Sequence, residues 1–216
     1  GAIEKMFVPG GVELTFTLTI NNNDTLTLSY TNAVSVKPVL TLKAPTLEFK
    51  DMITINAFYT AENIQDVVEM GMITYSTKVS SWSVNNAEHI IPGYTYDEAT
   101  GRYLSKSQGI FAKNLGDTVY LAVYAKLSDG TYAYSKLASY SPVTYATSQL
   151  KNSTDTALKQ LVVAMLNYGA EAQLFFGHNT GALANASLTA AQKALPAAYS
   201  ASMVSSVPTA STSKQG

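Results

Sequence analysis

Apolar and polar residues alternate along the first two thirds of the chain, which is the pattern of half-buried β-strands. Residues 12–20 read VELTFTLTI, with Leu, Phe and Ile on one side and Thr on the other. Similar segments recur, separated by turn sequences such as residues 21–24 (NNND) and 128–130 (SDG). One short helix is predicted at residues 63–70. Eight or nine short strands with regular turns predict a β-sandwich.

The hydrophobic period changes to that of a helix after residues 141–142, a Ser-Pro pair. Serine is a common N-cap and proline suits the first helical position, so a short helix is expected at residues 143–150. A longer apolar segment predicts a helix at residues 154–176. Gly177 is a natural stop for this helix.

Shorter helices are expected at residues 181–186 and 190–201. The resulting fold class is mainly β with C-terminal α, a β-sandwich followed by a cluster of α-helices. We assign residues 1–141 to the sandwich and 142–203 to a helical lobe packed on it as one structural unit. Residues 204–216 are rich in Ser and Thr and resemble a linker. We expect the chain to be one domain of a larger secreted protein.

Charged residues make up only 13% of the chain, with a net charge of −1, against ~25% charged residues in an average soluble protein. Lys and Arg form no cluster, so neither nucleic acid nor an anionic membrane is an expected partner. No apolar run reaches the ~18–20 residues of a membrane span. The absence of Cys excludes disulfides and thiol catalysis. A surface of hydroxyls and amides suits a secreted, extracellular or bacterial cell-surface protein that contacts carbohydrate.

Three segments together resemble a module of large secreted and cell-surface proteins of anaerobic gut bacteria. They are residues 89–103 (HIIPGYTYDEATGRY), 116–142 (GDTVYLAVYAKLSDGTYAYSKLASYSP) and 161–186 (LVVAMLNYGAEAQLFFGHNTGALANA). Within that group, the plan is similar to the first domain of the starch adherence system proteins of amylosomes, which are surface starch-degrading complexes. The resemblance implies that a malto-oligosaccharide chain end is held between the sandwich and the helices. It also implies scaffold proteins as partners, through domains outside this chain.

A starch-binding site needs aromatic rings that stack on glucose and rigid polar groups that reach its hydroxyls. Trp82, the single Trp, lies in a Ser/Asn loop and either stacks on the ligand or packs under that loop. Tyr168 is expected in the core or in the cleft. Two further groups are candidates for ligand contact: Tyr94, Tyr96, Asp97, Arg102 and Tyr103 of a hairpin, and Gln173, Phe176, His178 and Asn179 at the end of the long helix. The alternative for the first group is an ordinary hairpin in which Asp97 stabilises the turn. The alternative for the second group is a Phe in the core followed by a loop that caps the helix.

The carboxylates offer no evident catalytic pair, which a glycosidase would need about 5–10 Å apart. Asp97 and Glu98 are adjacent in a turn and point apart, whereas Asp66 and Glu69 share one face of the predicted short helix. No nucleophile elbow, phosphate loop or zinc motif is present. We therefore expect no enzyme activity, no metal and no cofactor.

The sequence thus predicts a non-catalytic domain that binds starch or malto-oligosaccharide in the cleft between sandwich and helices. The alternative is a structural or adhesive spacer domain of a bacterial cell-surface protein. An open aromatic and polar cleft at the junction of the lobes would favour binding, and a closed, dry junction would favour the spacer.

Overall fold

A computed structural model describes the backbone of residues 13–20, 24–31 and 36–198, and the side chains of residues 36–196. The strands are β1 (Glu13–Ile20), β2 (Asp24–Thr31), β3 (Val39–Leu42), β4 (Thr46–Phe49), β5 (Ile53–Glu62), β6 (Val67–Tyr75), β7 (His89–Pro92), β8 (Thr95–Asp97), β9 (Arg102–Lys106), β10 (Val119–Leu127), β11 (Tyr132–Tyr134) and β12 (Ala138–Tyr140). The helices are α1 (Pro142–Asn152), α2 (Thr156–Phe176) and α3 (Ala190–Lys193), with short 3-10 helices at Ala112–Asn114 and Leu195–Ala198.

The strands form two five-stranded antiparallel sheets and a separate hairpin of β1 and β2. The first sheet has the order β11–β10–β6–β7, and β12 also pairs with β10. The second sheet has the order β3–β5–β9–β8, and β4 also pairs with β5. The chain passes from the edge of the first sheet to the edge of the second at Gly93, which has a φ of 102°. There the Gly93 amide donates a hydrogen bond of 2.9 Å to the Met70 carbonyl.

One hydrophobic core joins the sheets to the helices. Alternate residues of β5 and β10 point inward and are buried, as the sequence pattern predicted. Helix α2 contributes the apolar face of a helix to the same cluster. The members from these three elements are Ile55, Ala57, Tyr59, Leu121, Val123, Ala125, Val162, Val163, Met165 and Leu166. The expected fold class, a β-sandwich followed by helices, is confirmed.

The helix boundaries follow local capping chemistry. Helix α1 begins at Pro142, and the hydroxyl of Ser141 accepts the amide of Thr144 at 3.0 Å, as predicted. Helix α2 is capped by Asp155, whose carboxylate accepts two backbone amides. It ends at Gly177, whose φ of 63° is accessible to glycine without strain.

Two predicted helices are wrong. Residues 63–70 hold no helix, because a turn at Asn63 (φ 57°) leads directly into β6, whose pairing with β10 overrides local preference. Residues 181–186 form turns, since the amide of Ala184 is taken by the Gln173 side chain at 2.7 Å. The short strands β4 and β7 were not predicted, and the expectations for residues 21–23 and 199–216 lie outside the described residues.

Candidate functional site

An open groove of about 450 Å³ lies between the first sheet and the connection that precedes β10, and His178 of the helical lobe also lines it. One wall is formed by the adjoining ends of β6 and β7, and the other by residues 107–119 and by His178 after α2. Both histidines of the chain, His89 and His178, line this groove although they are far apart in sequence. The groove is therefore open, and its lining combines polar side chains with a larger share of apolar surface.

A hydrogen-bond network centred on Asp117 fixes the polar wall. One carboxylate oxygen of Asp117 accepts the Asn114 amide at 2.7 Å and His178 Nε2 at 2.8 Å. The other oxygen accepts the Asn179 amide at 3.2 Å. Gly177 (φ 63°) and Asn179 (φ 47°) are left-handed, so the chain turns sharply at His178 and brings it back towards Asp117. The His178 and Asp117 side chains remain 34% and 29% exposed, so the network faces solvent.

The same network sets the charge state of Asp117. Partial burial alone would raise the pKa of this carboxyl, but the hydrogen bonds from Asn114, His178 and Asn179 lower it below its ordinary value. Asp117 is therefore a charged acceptor at neutral pH. The second carboxylate of the described lining, Glu88, accepts the amide and the hydroxyl of Ser76 at 2.8 and 2.5 Å.

One exposed aromatic ring lines the groove, and two more contact each other, one of them beside Lys113 of the lining. Phe111 lines it and is 74% exposed, while Phe176 is 63% exposed. Lys113, also in the lining, places its ammonium 5.8 Å from the centre of the Phe176 ring. Phe175 meets Phe176 edge to face at 5.0 Å. The predicted aromatic residue Phe176 is therefore at the surface rather than in the core.

Sequence reasoning missed Phe111, Lys113, Asn114 and Asp117. They lie in one connection, residues 109–118, that has neither a strand nor a helix period. The only local signal was an Asn and an Asp three residues apart before a strand, which is also common in ordinary turns.

Trp82 packs beneath its own loop. It is half-buried against a cluster on the outer face of the first sheet, formed around Ile73, Tyr75 and Tyr124. Its indole N–H donates to the Ser135 carbonyl at 2.9 Å. Trp82 does not appear in the groove lining, so the structure favours the packing alternative for this residue.

The predicted hairpin carries a cluster of tyrosines. Tyr103 stacks on the buried Tyr59 at 5.4 Å and contacts Tyr94 and Tyr96 at 5.2 and 4.7 Å. Tyr94 and Tyr96 are 48% and 50% exposed. The carboxylate of Asp97 accepts the amide of Ala99 at 3.0 Å and the hydroxyl of Thr100 at 2.6 Å, which is a turn role. Arg102 is exposed, and its backbone lies opposite that of Asp97 in the antiparallel pairing of β8 with β9.

The tyrosine cluster lies on β5, β8 and β9 of the second sheet, whereas the ends of β6 and β7 that line the groove belong to the first sheet. The structure thus brings His178 and Asn179 to Asp117 and places Phe176 near Lys113 of the groove lining, but none of these residues shares a described pocket with the hairpin residues.

Gln173 is not a contact residue of the groove. It is fully buried, and its amide donates to the Ala182 and Asn179 carbonyls at 3.2 and 3.4 Å and accepts from Ala184. The prediction that it contacts a ligand is wrong, because every polar atom of the amide serves the turn after α2. The local pattern of a Gln near a helix end could not reveal this burial.

Comparisons with protein-family models, with curated proteins and with solved structures found no match to the chain. Within the described residues, no group of three or more His, Asp or Glu side chains is placed to hold a metal ion. Nor does any helix in that part of the chain have the length and hydrophobicity to cross a bilayer.

Proposed function

We propose that this chain is a non-catalytic carbohydrate-binding domain that holds a neutral oligosaccharide in the groove between the sandwich and the helices. The observation that carries the proposal is the open groove itself, with an exposed aromatic ring, Phe111, facing polar side chains fixed around Asp117. Sugar rings bind to protein by stacking on aromatic faces and by hydroxyl contacts to planar polar groups. Because these groups are already held in place, binding would cost little further ordering.

The ligand class that we propose is starch or malto-oligosaccharide, an α-1,4-glucan, bound at a chain end. This choice rests on the sequence resemblance to starch adherence domains. The groove supports it in one respect, since its lining includes His178 of the helical lobe beside residues of the sandwich, and such domains hold their ligand between these two parts. A single short sugar offers little apolar area, so affinity would be modest and would increase through further domains of the same protein.

The carboxylates of the groove support binding rather than hydrolysis. A glycosidase needs a carboxylic acid that is protonated at the working pH. The pKa of Asp117 is instead lowered by its hydrogen bonds. Both oxygens of Glu88 are occupied by Ser76. The spacer alternative requires no open groove at the junction of the lobes.

Calorimetric titration of maltoheptaose into wild type and Phe111→Ala would test this proposal. We expect roughly tenfold or more loss of affinity in the variant, since stacking contributes about 1 kcal/mol or more beyond area. Val68→Ala, which removes an apolar side chain of similar exposure from β6, should bind as wild type does.

A third variant separates the two aromatic surfaces. If Tyr96→Ala abolishes the heat while Phe111→Ala keeps it, the site belongs to the hairpin and the groove assignment is wrong. No heat from wild type with maltoheptaose, xylan or mannan fragments would overturn carbohydrate binding and leave the spacer.

A further inference from the structure

The outward side of α2 has an unusual composition. On this side, six positions follow one another at alternating intervals of four and three residues, which is the spacing of a coiled-coil seam, and all of them except the half-buried Ala164 are exposed. We call them the outer stripe: Ala157, Leu161, Ala164, Tyr168, Glu171 and Phe175. The exposed face of a helix in a globular domain is usually polar. Here a single residue of the stripe, Glu171, is charged.

The large residues of the outer stripe are well exposed. Leu161 is 46%, Tyr168 is 67% and Phe175 is 82% exposed. Together they present on the order of 400 Å² of apolar surface, which is roughly the size of the largest apolar patch on a typical monomer, and such a patch often has a function. A cavity of about 320 Å³ adjoins the stripe and is lined by Phe49, Ile53, Leu161, Tyr168 and other residues, nearly all apolar. The stripe therefore forms one wall of an apolar groove.

We infer that the outer stripe pairs with the outer stripe of a second copy of this chain, with the two α2 helices antiparallel. A two-fold axis near residue 166 would place Phe175 against Ala157 and Tyr168 against Ala164 of the other copy. Each of the two aromatic side chains then meets a small one, which leaves room for the ring to insert between the helices. Leu161 would cover the methylene groups of Glu171.

Charge decides between the two possible directions. A parallel pairing would bring Glu171 against Glu171 and Tyr168 against Tyr168, which places like charges together and leaves no small partner for the ring. The antiparallel arrangement removes both conflicts. Because the stripe is complementary to itself, a second copy satisfies it without any other partner, as in an isologous interface.

The area indicates a weak, transient dimer. Two stripes would bury about 800 Å² of apolar surface, roughly half of the ~1,600 Å² of a standard interface. The walls of the adjoining cavity supply further contact. Since His178 follows the C-terminal end of α2, antiparallel pairing would place the two polar grooves at opposite ends of helices about 31 Å long. The inference does not depend on the nature of the groove's ligand.

Sedimentation equilibrium of the full chain tests the dimer. We expect the wild-type mass to rise with concentration from one chain towards two, and Tyr168→Glu to raise the dissociation constant at least tenfold. Tyr168 is exposed, so this variant should keep the wild-type circular dichroism spectrum. Val68→Glu, at an equally exposed position of β6, should dimerise as wild type does.

Crosslinking tests the direction. Because the chain has no Cys, single cysteines can be introduced cleanly. An equal mixture of Ala164→Cys and Tyr168→Cys chains should form more disulfide-linked dimer than either variant forms by itself. Wild type that stays monomeric at all concentrations, or Tyr168→Glu that dimerises normally, would overturn the inference. Homodisulfides of Tyr168→Cys exceeding the mixed product would overturn the antiparallel arrangement.

Discussion

Gln173 shows how one side chain connects the long helix to the segment that follows it. Its amide satisfies backbone groups of Asn179, Ala182 and Ala184, and the residue is fully buried. A buried amide with all its hydrogen bonds made adds little net stability, but removing it leaves several polar groups without partners. The position of His178 and Asn179 beside Asp117 therefore depends on a residue that never contacts the groove.

Replacing Gln173 by Ala should lower the free energy of unfolding by about 2–4 kcal/mol, because the Ala184 amide and two carbonyls lose their partner in a buried site. Urea denaturation measures this directly. Glu171→Ala, an exposed change two residues earlier on α2, is the matched control and should stay within about 0.5 kcal/mol. Equal stability of Gln173→Ala and wild type would contradict the structural role.

Asp117 predicts a pH dependence with a defined sign. Its pKa is lower in the folded chain than the ~3.9 of an unfolded Asp. Such a group stabilises the fold above the unfolded pKa, and the contribution is lost as pH falls through the folded pKa. Stability should therefore fall less steeply from about pH 5 to pH 2 in Asp117→Asn than in wild type. Thermal denaturation across this range provides the measurement. The exposed Asp51→Asn should follow the wild-type curve, and an unchanged slope in Asp117→Asn would contradict the assignment.

At the scale of elements, α2 is held by close approach of its neighbours. Gly169 lies at mid-helix, where a glycine costs ~1 kcal/mol relative to Ala, and such a cost is tolerated where a neighbour packs closely. The structure confirms this, because a Cβ on Gly169 would lie 2.8 Å from Leu115 Cβ and 3.2 Å from Ala184 Cβ. Those atoms are close to the backbone and cannot rotate away.

Gly169→Ala should therefore destabilise the protein by about 1–2 kcal/mol, since overpacking outweighs the gain in helix propensity. Gly181→Ala is the comparison, because nothing lies within 4 Å of the added atom. It should leave stability unchanged or raise it by up to about 1 kcal/mol. The two melting temperatures distinguish these outcomes, and a more stable Gly169→Ala would mean that the helix can shift.

The elements that sequence analysis predicted are those with a strong period. The strand β5 alternates and α2 has an apolar face, whereas residues 67–70 at the start of β6 were predicted as part of a helix because their sequence does not alternate. The groove could not be predicted, since Asp117 and His178 are 61 residues apart and meet only through the turn at Gly177. The expected position of Tyr168 in the core is wrong, because its side chain is exposed. Whether a helical residue is buried depends on which elements pack against that side of the helix.

At the scale of the whole molecule, sandwich and helices share one core, so they should unfold together. Trp82 is the only Trp and packs on the outer face of the first sheet, where its fluorescence reports on the sandwich. Far-UV circular dichroism reports on the helices. We expect both signals to give the same denaturation midpoint, as for a two-state domain. Midpoints that differ beyond error would show two independently folding units.

The two carboxylates on the groove walls have one more consequence, which concerns the kind of polysaccharide that can enter. Glu88 and Asp117 face a single cation, Lys113, among the described lining residues. A glycan bearing carboxylate or sulfate groups would meet net repulsion, which dissolved salt would screen. A neutral glucan carries no charge to be repelled, so its affinity should be the same at low and at high salt concentration. Ionic strength would thus separate neutral from acidic polysaccharides at this surface.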